Sequence, residues 1–202
     1  MSNPEISASA EADAPEEQGG SAFTSSLGLY SRYIALLTAW VATCGSLFFS
    51  EVLGWQPCLM CWYQRILMYP LAIILPVGIL RRDSKLHLYA LPFPLIGMFV
   101  SLYHYLLIKT TIFPPPACSV SVPCTVDYID WFGFINIPFM ALTAFIIIAA
   151  MMFISMRQPF DEELDEDGEP VQRPLLSMEN ILVVAIIGIV VLWFAVAGRI
   201  MG

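Results

Sequence analysis

The sequence predicts an all-α integral membrane protein with five spanning helices, on three observations. Hydrophobic residues make up 58% of the 202-residue chain, charged residues make up only 13%, and the hydrophobic residues gather into five runs of roughly 20, the length a helix needs to cross the hydrocarbon core. A chain that poor in charge cannot cover a globular surface facing water, so the bilayer is its expected solvent.

The elements follow in order. Residues 1 to 28 are rich in Ala, Ser, Glu and Gly, hold no hydrophobic run and contain no basic residue before Arg32. They read as a disordered acidic tail and not as a secretory signal. The first run is Tyr33 to Leu53, the second Trp62 to Leu80, and the third Leu86 to Ile108. Between the second and third lies a short basic turn with Arg81, Arg82 and Lys85. In the loop that follows, Pro114, Pro115 and Pro116 forbid a regular helix. Beyond it, Tyr128, Ile129, Trp131, Phe132 and Phe134, with Asp127 and Asp130 among them, suit either a short amphipathic interfacial segment or a simple aromatic belt. The fourth run is Phe134 to Met156. An acidic loop over 158–178 separates it from the fifth, Ile181 to Ile200, which carries no charge before Arg199.

The net charge of -8 is a property of two tracts. Twelve of the 17 acids are Glu5, Glu11, Asp13, Glu16, Glu17, Asp161, Glu162, Glu163, Asp165, Glu166, Asp167 and Glu169; elsewhere basic residues outnumber acids. Nucleic-acid binding finds no support in such a pattern. Basic residues favour cytoplasmic loops, and Arg32, Arg81, Arg82, Lys85, Arg157 and Arg173 fall on one side against Arg65, Lys109 and Arg199 on the other. The expected topology is therefore a multi-pass protein of the cell membrane, inner or plasma, with a cytoplasmic N-terminus. The segments 54–61 and 109–133 then face the oxidising side.

Those two segments hold Cys58, Cys61, Cys118 and Cys124, four of the five cysteines. The core is large enough not to need disulfide staples, so a stabilising role explains them poorly. Cys58 and Cys61, separated by Leu59 and Met60, could close a small and easily reduced ring. Alone, such a pair suits a redox switch or half a zinc site. With a helix starting near Trp62, Cys61 falls at its N-terminus and Arg65 one turn on, an arrangement favouring a thiolate. Cys118 and Cys124, five residues between them, could close a short surface loop. A four-cysteine zinc scaffold remains the alternative, disfavoured by location and by the lack of loop histidines.

Two exchangeable disulfides form an electron relay that needs an acceptor. Trp62 in place of a histidine after Cys61 excludes attached c-type haem, and no glycine fingerprint for a dinucleotide is present. A quinone dissolved in the bilayer is the acceptor left by this exclusion. Arg65 would stabilise the Cys61 thiolate and charge developing on a quinone oxygen. His104, between Tyr103 and Tyr105, could hydrogen-bond a quinone carbonyl or serve as an interhelical histidine. Cys44, alone in the first span, reads as a small buried hydrophobe, and His87 as an interfacial residue.

The run Pro57, Cys58, Leu59, Met60, Cys61, Trp62, Tyr63, Gln64, Arg65, followed by a span, a basic turn, another span and a second cysteine pair, resembles the DsbB family of disulfide-forming membrane proteins. The short interval from Cys118 to Cys124 is similar to its BdbC branch. The resemblance implies a DsbB-like four-helix membrane domain over 29–157, to which residues 179–202 add a fifth transmembrane helix. It further implies a quinone-dependent enzyme, using ubiquinone or menaquinone, that reoxidises a DsbA-like thioredoxin-fold oxidase. Cys118 would receive the attack of that partner, Cys124 would attack Cys58, and Cys61 would face the quinone beside Arg65. His104 matches a third-span histidine of the family by position. The enzymatic rival is a quinone reductase of the vitamin K epoxide reductase type, in which the order of the cysteine motifs differs.

Overall fold

In the computed structural model, which describes residues 18–110, 122–157 and 177–201 and, within them, the side chains from Tyr30 onward except Glu179, helices account for nearly all regular structure. Helix α1 spans Gln18–Leu47 and runs into a π-helical turn, Phe48–Val52; α2 spans Leu59–Leu80, α3 Leu86–Ala90, α4 Pro92–Lys109, α5 Ile137–Arg157 and α6 Met178–Met201. Five segments are long and apolar enough to span a membrane: Tyr30–Val52, Leu59–Leu80, Leu86–Lys109, Ile137–Arg157 and Asn180–Met201. Their positions agree with the five hydrophobic runs to within three residues at each end. Helix α1 begins at Gln18, inside the stretch expected to be a disordered tail, because extending an existing helix by a residue is far less costly than nucleating one. Residues 1–17, Pro114 to Pro116, Cys118 and nearly all of the acidic loop lie outside the described residues.

The third span is two helices in line. Pro92 has no amide hydrogen to continue α3, so the chain turns once at Leu91 and restarts as α4 with Pro in its first turn. Pro70 and Pro76 remain inside α2, where packing against neighbouring helices supports the interrupted ladder.

The bundle packs α1 against α2 and α5, and α4 against α2 and α5. Its fully buried centre includes Ala35, Leu36, Leu71, Leu75, Phe145, Ile148 and Met152. Lipid tails are as apolar as these side chains, so close van der Waals fit holds helices together here. Arg32, buried at the basic end, donates from Nε to Ser155 Oγ at 2.7 Å and ties α1 to α5. Outside the bundle, Ile73, Phe99, Ile189 and Leu192 are each at least 65% exposed, a surface that only lipid would cover. The chain is thus an all-α integral membrane protein.

Gly97 shows how tight the fit is: a Cβ there would lie 2.5 Å from ring carbons of Phe145. Gly97→Ala is therefore expected to cost about 1–3 kcal/mol, read as a lower unfolding temperature in detergent. Gly188→Ala on α6, where a Cβ meets nothing within 4 Å, should leave that temperature unchanged.

Candidate redox site

The first turn of α2 builds the site. Pro57 brings the chain in extended, and Cys58 at φ -72°, ψ 173° caps the helix, its sulfur accepting from the Cys61 amide at 3.4 Å. The helix therefore begins three residues earlier than the expected start at Trp62. Cys58, and not Cys61, is the residue at the N-terminus, because a cysteine sulfur can serve as the cap acceptor. Both residues are free thiols in this state, with Sγ atoms 3.1 Å apart.

The two sulfurs belong to different surroundings. Cys58 is buried in a small cluster with Leu107 and Cys124, bordered by Met60, Cys61 and Val122. Cys124 is disulfide-bonded; Cys118 falls outside the described residues. His104, 2% exposed, joins the two cysteines: its Nε2 lies 3.1 Å from the Cys124 carbonyl oxygen and 3.7 Å from Cys58 Sγ. Gln64 Nε2 lies 3.2 Å from His104 Nδ1. A carboxamide nitrogen can only donate, so Nδ1 accepts and Nε2 carries the hydrogen given to the carbonyl.

Cys61, at the edge of that cluster, also lines an apolar cavity of about 600 Å³ between α1, α2 and α5, which Cys58 does not reach. Arg65 is on the same wall. Its Nε donates to Ser46 Oγ and its Nη2 to the Ser46 carbonyl oxygen, both at 2.9 Å, while Trp62 lies under the guanidinium at 5.4 Å. Ser46 occupies only part of the donor fork. Leu37, Val41, Met68 and Phe145 line the cavity further along the bundle, and Trp55 and Tyr128 stack with centroids 5.4 Å apart at its mouth. A planar ring bearing a hydrocarbon tail and a polar oxygen fits this combination of apolar length and one cation.

Of the two readings the sequence leaves open for His104, the geometry displays the interhelical one, its ring held between Gln64 of α2 and the Cys124 carbonyl. His104 does not line the cavity, because Gln64 and the Cys124 carbonyl hold its ring on the side of α2 that faces Cys58. Gln64, Ser46, Trp55 and Tyr128 were not singled out from sequence as site residues. Gln64 lies within the CxxCWxQR run, but the others carry no local signal. Cys44 is free and half-buried, less enclosed than expected, and does not line the cavity.

The segment after Cys124 is no helix. It turns sharply through Phe132 and Gly133, at φ 57° and 78°, and closes with a bridge between Trp131 and Ile135. Lys109 pins it to the end of α4 through Asp127 at 3.2 Å and Asp130 at 2.8 Å. Tyr128 Oη donates to the Gln56 carbonyl at 3.2 Å, bringing this segment onto the approach to Cys58.

In the reduced pair, the Cys61 thiol donates to Cys58 Sγ and holds the Cys58 thiol well below the ordinary range; burial opposes this, and His104 and the Cys61 amide add to it. A lowered pKa means that the thiolate persists as pH falls. The rate at which iodoacetamide alkylates Cys58 in reduced protein should change less than about twofold from pH 8 to pH 6, where an ordinary thiol slows on the order of 100-fold. Mass spectrometry of the Cys58 peptide reads this out; a slope of one decade per pH unit would refute it.

Cys58, Cys61 and His104 bring three possible metal donors within 4.8 Å of one another, and no fourth His, Cys, Asp or Glu joins them among the described residues. A four-cysteine zinc centre does not fit this state, since a sulfur held in a disulfide is not a thiolate ligand.

The family model described as disulfide bond formation protein DsbB matches residues 30–156. The probable disulfide formation protein C of Halalkalibacterium halodurans is 53% identical over 124 residues, 60% of this chain and 90% of that protein. The disulfide bond formation protein C of Bacillus subtilis is 48% identical over 127 residues, 60% of this chain and 92% of that protein. The probable disulfide formation protein of Oceanobacillus iheyensis is 49% identical over 129 residues, 61% of this chain and 89% of that protein. No solved structure matches the chain. A matched span holding four transmembrane segments, a CxxC at a helix cap and Cys124 packed against it makes the chain a membrane thiol oxidoreductase that belongs to the DsbB family of disulfide bond formation proteins.

Proposed function

We propose that the protein reoxidises a DsbA-like thioredoxin-fold oxidase outside the cytoplasm and delivers the electrons to a membrane quinone, ubiquinone or menaquinone. One observation carries this reading: Cys58 is buried against Cys124, and Cys61, at the edge of that cluster, is the one of the pair that also lines the apolar cavity holding Arg65. A relay needs one sulfur towards the donor and one towards the acceptor.

In the resting oxidised form, Cys118 pairs with Cys124 and Cys58 with Cys61. A thiolate of the reduced partner attacks Cys118, forming a mixed disulfide and releasing Cys124 as a thiolate. Cys124 attacks Cys58, breaking the Cys58–Cys61 bond and leaving its electron pair on Cys61. The partner's second thiol then closes the partner disulfide and frees Cys118, which displaces Cys58 from Cys124. Partner dithiol has become disulfide, and the cysteines at α2 hold two electrons and two protons. A bound quinone supplies the sink for both.

The site residues divide the work. While Cys58 is tied in a mixed disulfide, it no longer takes a hydrogen bond from Cys61, so the negative charge moves to Cys61, on the wall with Arg65. Arg65, clamped by Ser46, holds its positive charge over the cavity without having to reorganise. His104, whose Nε2–H points at Cys58 and the Cys124 carbonyl, stabilises Cys58 as it leaves. The basic residues at the opposite end set the topology, with the N-terminus in the cytoplasm and the cysteine end outside.

The test is anaerobic oxidation of a reduced thioredoxin-fold protein by purified enzyme, with and without added quinone. The expected result is turnover only when quinone is present, one quinone reduced per disulfide formed. Partner oxidation indifferent to quinone would point to another acceptor; metal analysis returning one zinc per chain with no titratable disulfide would point to the scaffold.

A further inference from the structure

Helix α6 lies beyond the matched residues 30–156, and the tenth or so of each relative left unmatched is too short for another span. Yet α6 does more than cross the membrane beside the bundle. Val183, Val190 and Phe194 form its inward stripe, while Leu192, Trp193 and Val196 are at least half exposed. The stripe packs on α1 and α2. At its upper end, Phe194 lines the same cavity as Cys61 and Arg65.

The level at which it does so is specific. The Phe194 ring rests on α1 at Gly45, where an added Cβ would be 3.7 Å from the ring tip. The next residue, Ser46, is the one that clamps Arg65. Phe194 also meets Phe48 edge-on at 5.9 Å. From there the ring contacts continue through Phe49 to Trp55 and Tyr128, at 6.4, 5.3 and 5.4 Å. The π-helical turn Phe48–Val52 makes this series possible, because its extra residue per turn allows successive rings to serve both α6 and the outer loop. Cavity and collar are thus completed by a residue from outside the shared domain.

We propose that Phe194 is an acceptor-site residue, an aromatic wall that α6 adds to hold the planar ring of the quinone opposite Arg65. This rests on the quinone reading above. An aromatic contact of this kind favours flat, π-rich heads over aliphatic ones.

Two readouts independent of turnover test it. Quinone binding to purified full-length protein is followed by quenching of tryptophan fluorescence, and an azidoquinone is photolysed in the site and its adducts mapped by mass spectrometry. Phe194→Ala and Phe194→Leu should each weaken binding about fivefold. Phe194→Tyr, which keeps the ring, should stay within about twofold of wild type, as should Trp193→Ala on the exposed face. Adducts should include α6 peptides. Wild-type affinity in Phe194→Leu together with adducts confined to α1 and α2 would overturn the role of Phe194 and leave the quinone reading standing. Failure of the wild type to bind quinone at all would overturn that reading and this inference with it.

Discussion

Cys61→Ala should lower quinone-dependent oxidation of a reduced thioredoxin-fold partner by at least about 1,000-fold, a loss on the scale of removing a covalent nucleophile. Among the described residues, Cys61 is the only cysteine on the cavity wall. Cys58, left without a disulfide partner in the variant, still shares its buried cluster with Cys124. Its thiolate can attack Cys124 in the proposed Cys118–Cys124 disulfide, forming Cys58–Cys124 and expelling Cys118 as a thiolate with no electrons passed to an acceptor. The expected signature is therefore an arrest. A Cys58–Cys124 disulfide should accumulate, identifiable by peptide mapping under non-reducing conditions, while quinone absorbance stays constant. Quinone reduction persisting at a tenth of the wild-type rate would show that electrons leave by another route, and the division of labour between the two sulfurs would be wrong.

Arg65→Leu should reduce kcat/KM for quinone by about 10- to 100-fold, the effect of one charge-assisted donor in a dry site. Thiol–disulfide exchange between partner and enzyme, measured in a single turnover without quinone, should change less than about threefold. The split follows from geometry: Arg65 is on the cavity wall with Cys61, and its hydrogen bonds go to Ser46 and not to Cys58 or Cys124. Arg65→Lys should recover only part of the loss, since an ammonium cannot hold Ser46 Oγ and its carbonyl in the same fork and still face the cavity. Equal losses in exchange and in quinone reduction would instead mark Arg65 as a structural clamp between α1 and α2. Thermal unfolding of each variant separates that case from collapse of the fold.

The spans were legible because the bilayer imposes a length and a composition that local sequence alone satisfies. Leu86 and Leu80 even mark observed helix ends. Boundaries that depend on a side chain replacing a backbone partner were less so. The cap at Cys58 moved the start of α2 by one turn, and the π-helical turn after Leu47 replaced what reads as the last turn of a regular span. The loop aromatics Tyr128 to Phe134 are distributed like an interfacial segment, yet the chain folds there into a turn pinned by Lys109.

By itself, the sequence determined the solvent of this protein, the number of its spans and the residues able to do thiol chemistry, because each follows from residue type and short-range spacing. What only the tertiary structure decided is which way each group faces. His104 reads from its place along the third span as either an acceptor ligand or an interhelical histidine, and the rotation of α4 within the bundle sets its ring beside Cys58. Arg65 was expected to act on Cys61 from one turn away, and Ser46, from a different helix, fixes where its charge lies. Phe194, some 130 residues from the CxxC motif, reaches the same cavity. Facing is set by packing between distant segments, and no local pattern encodes the angle at which two helices meet.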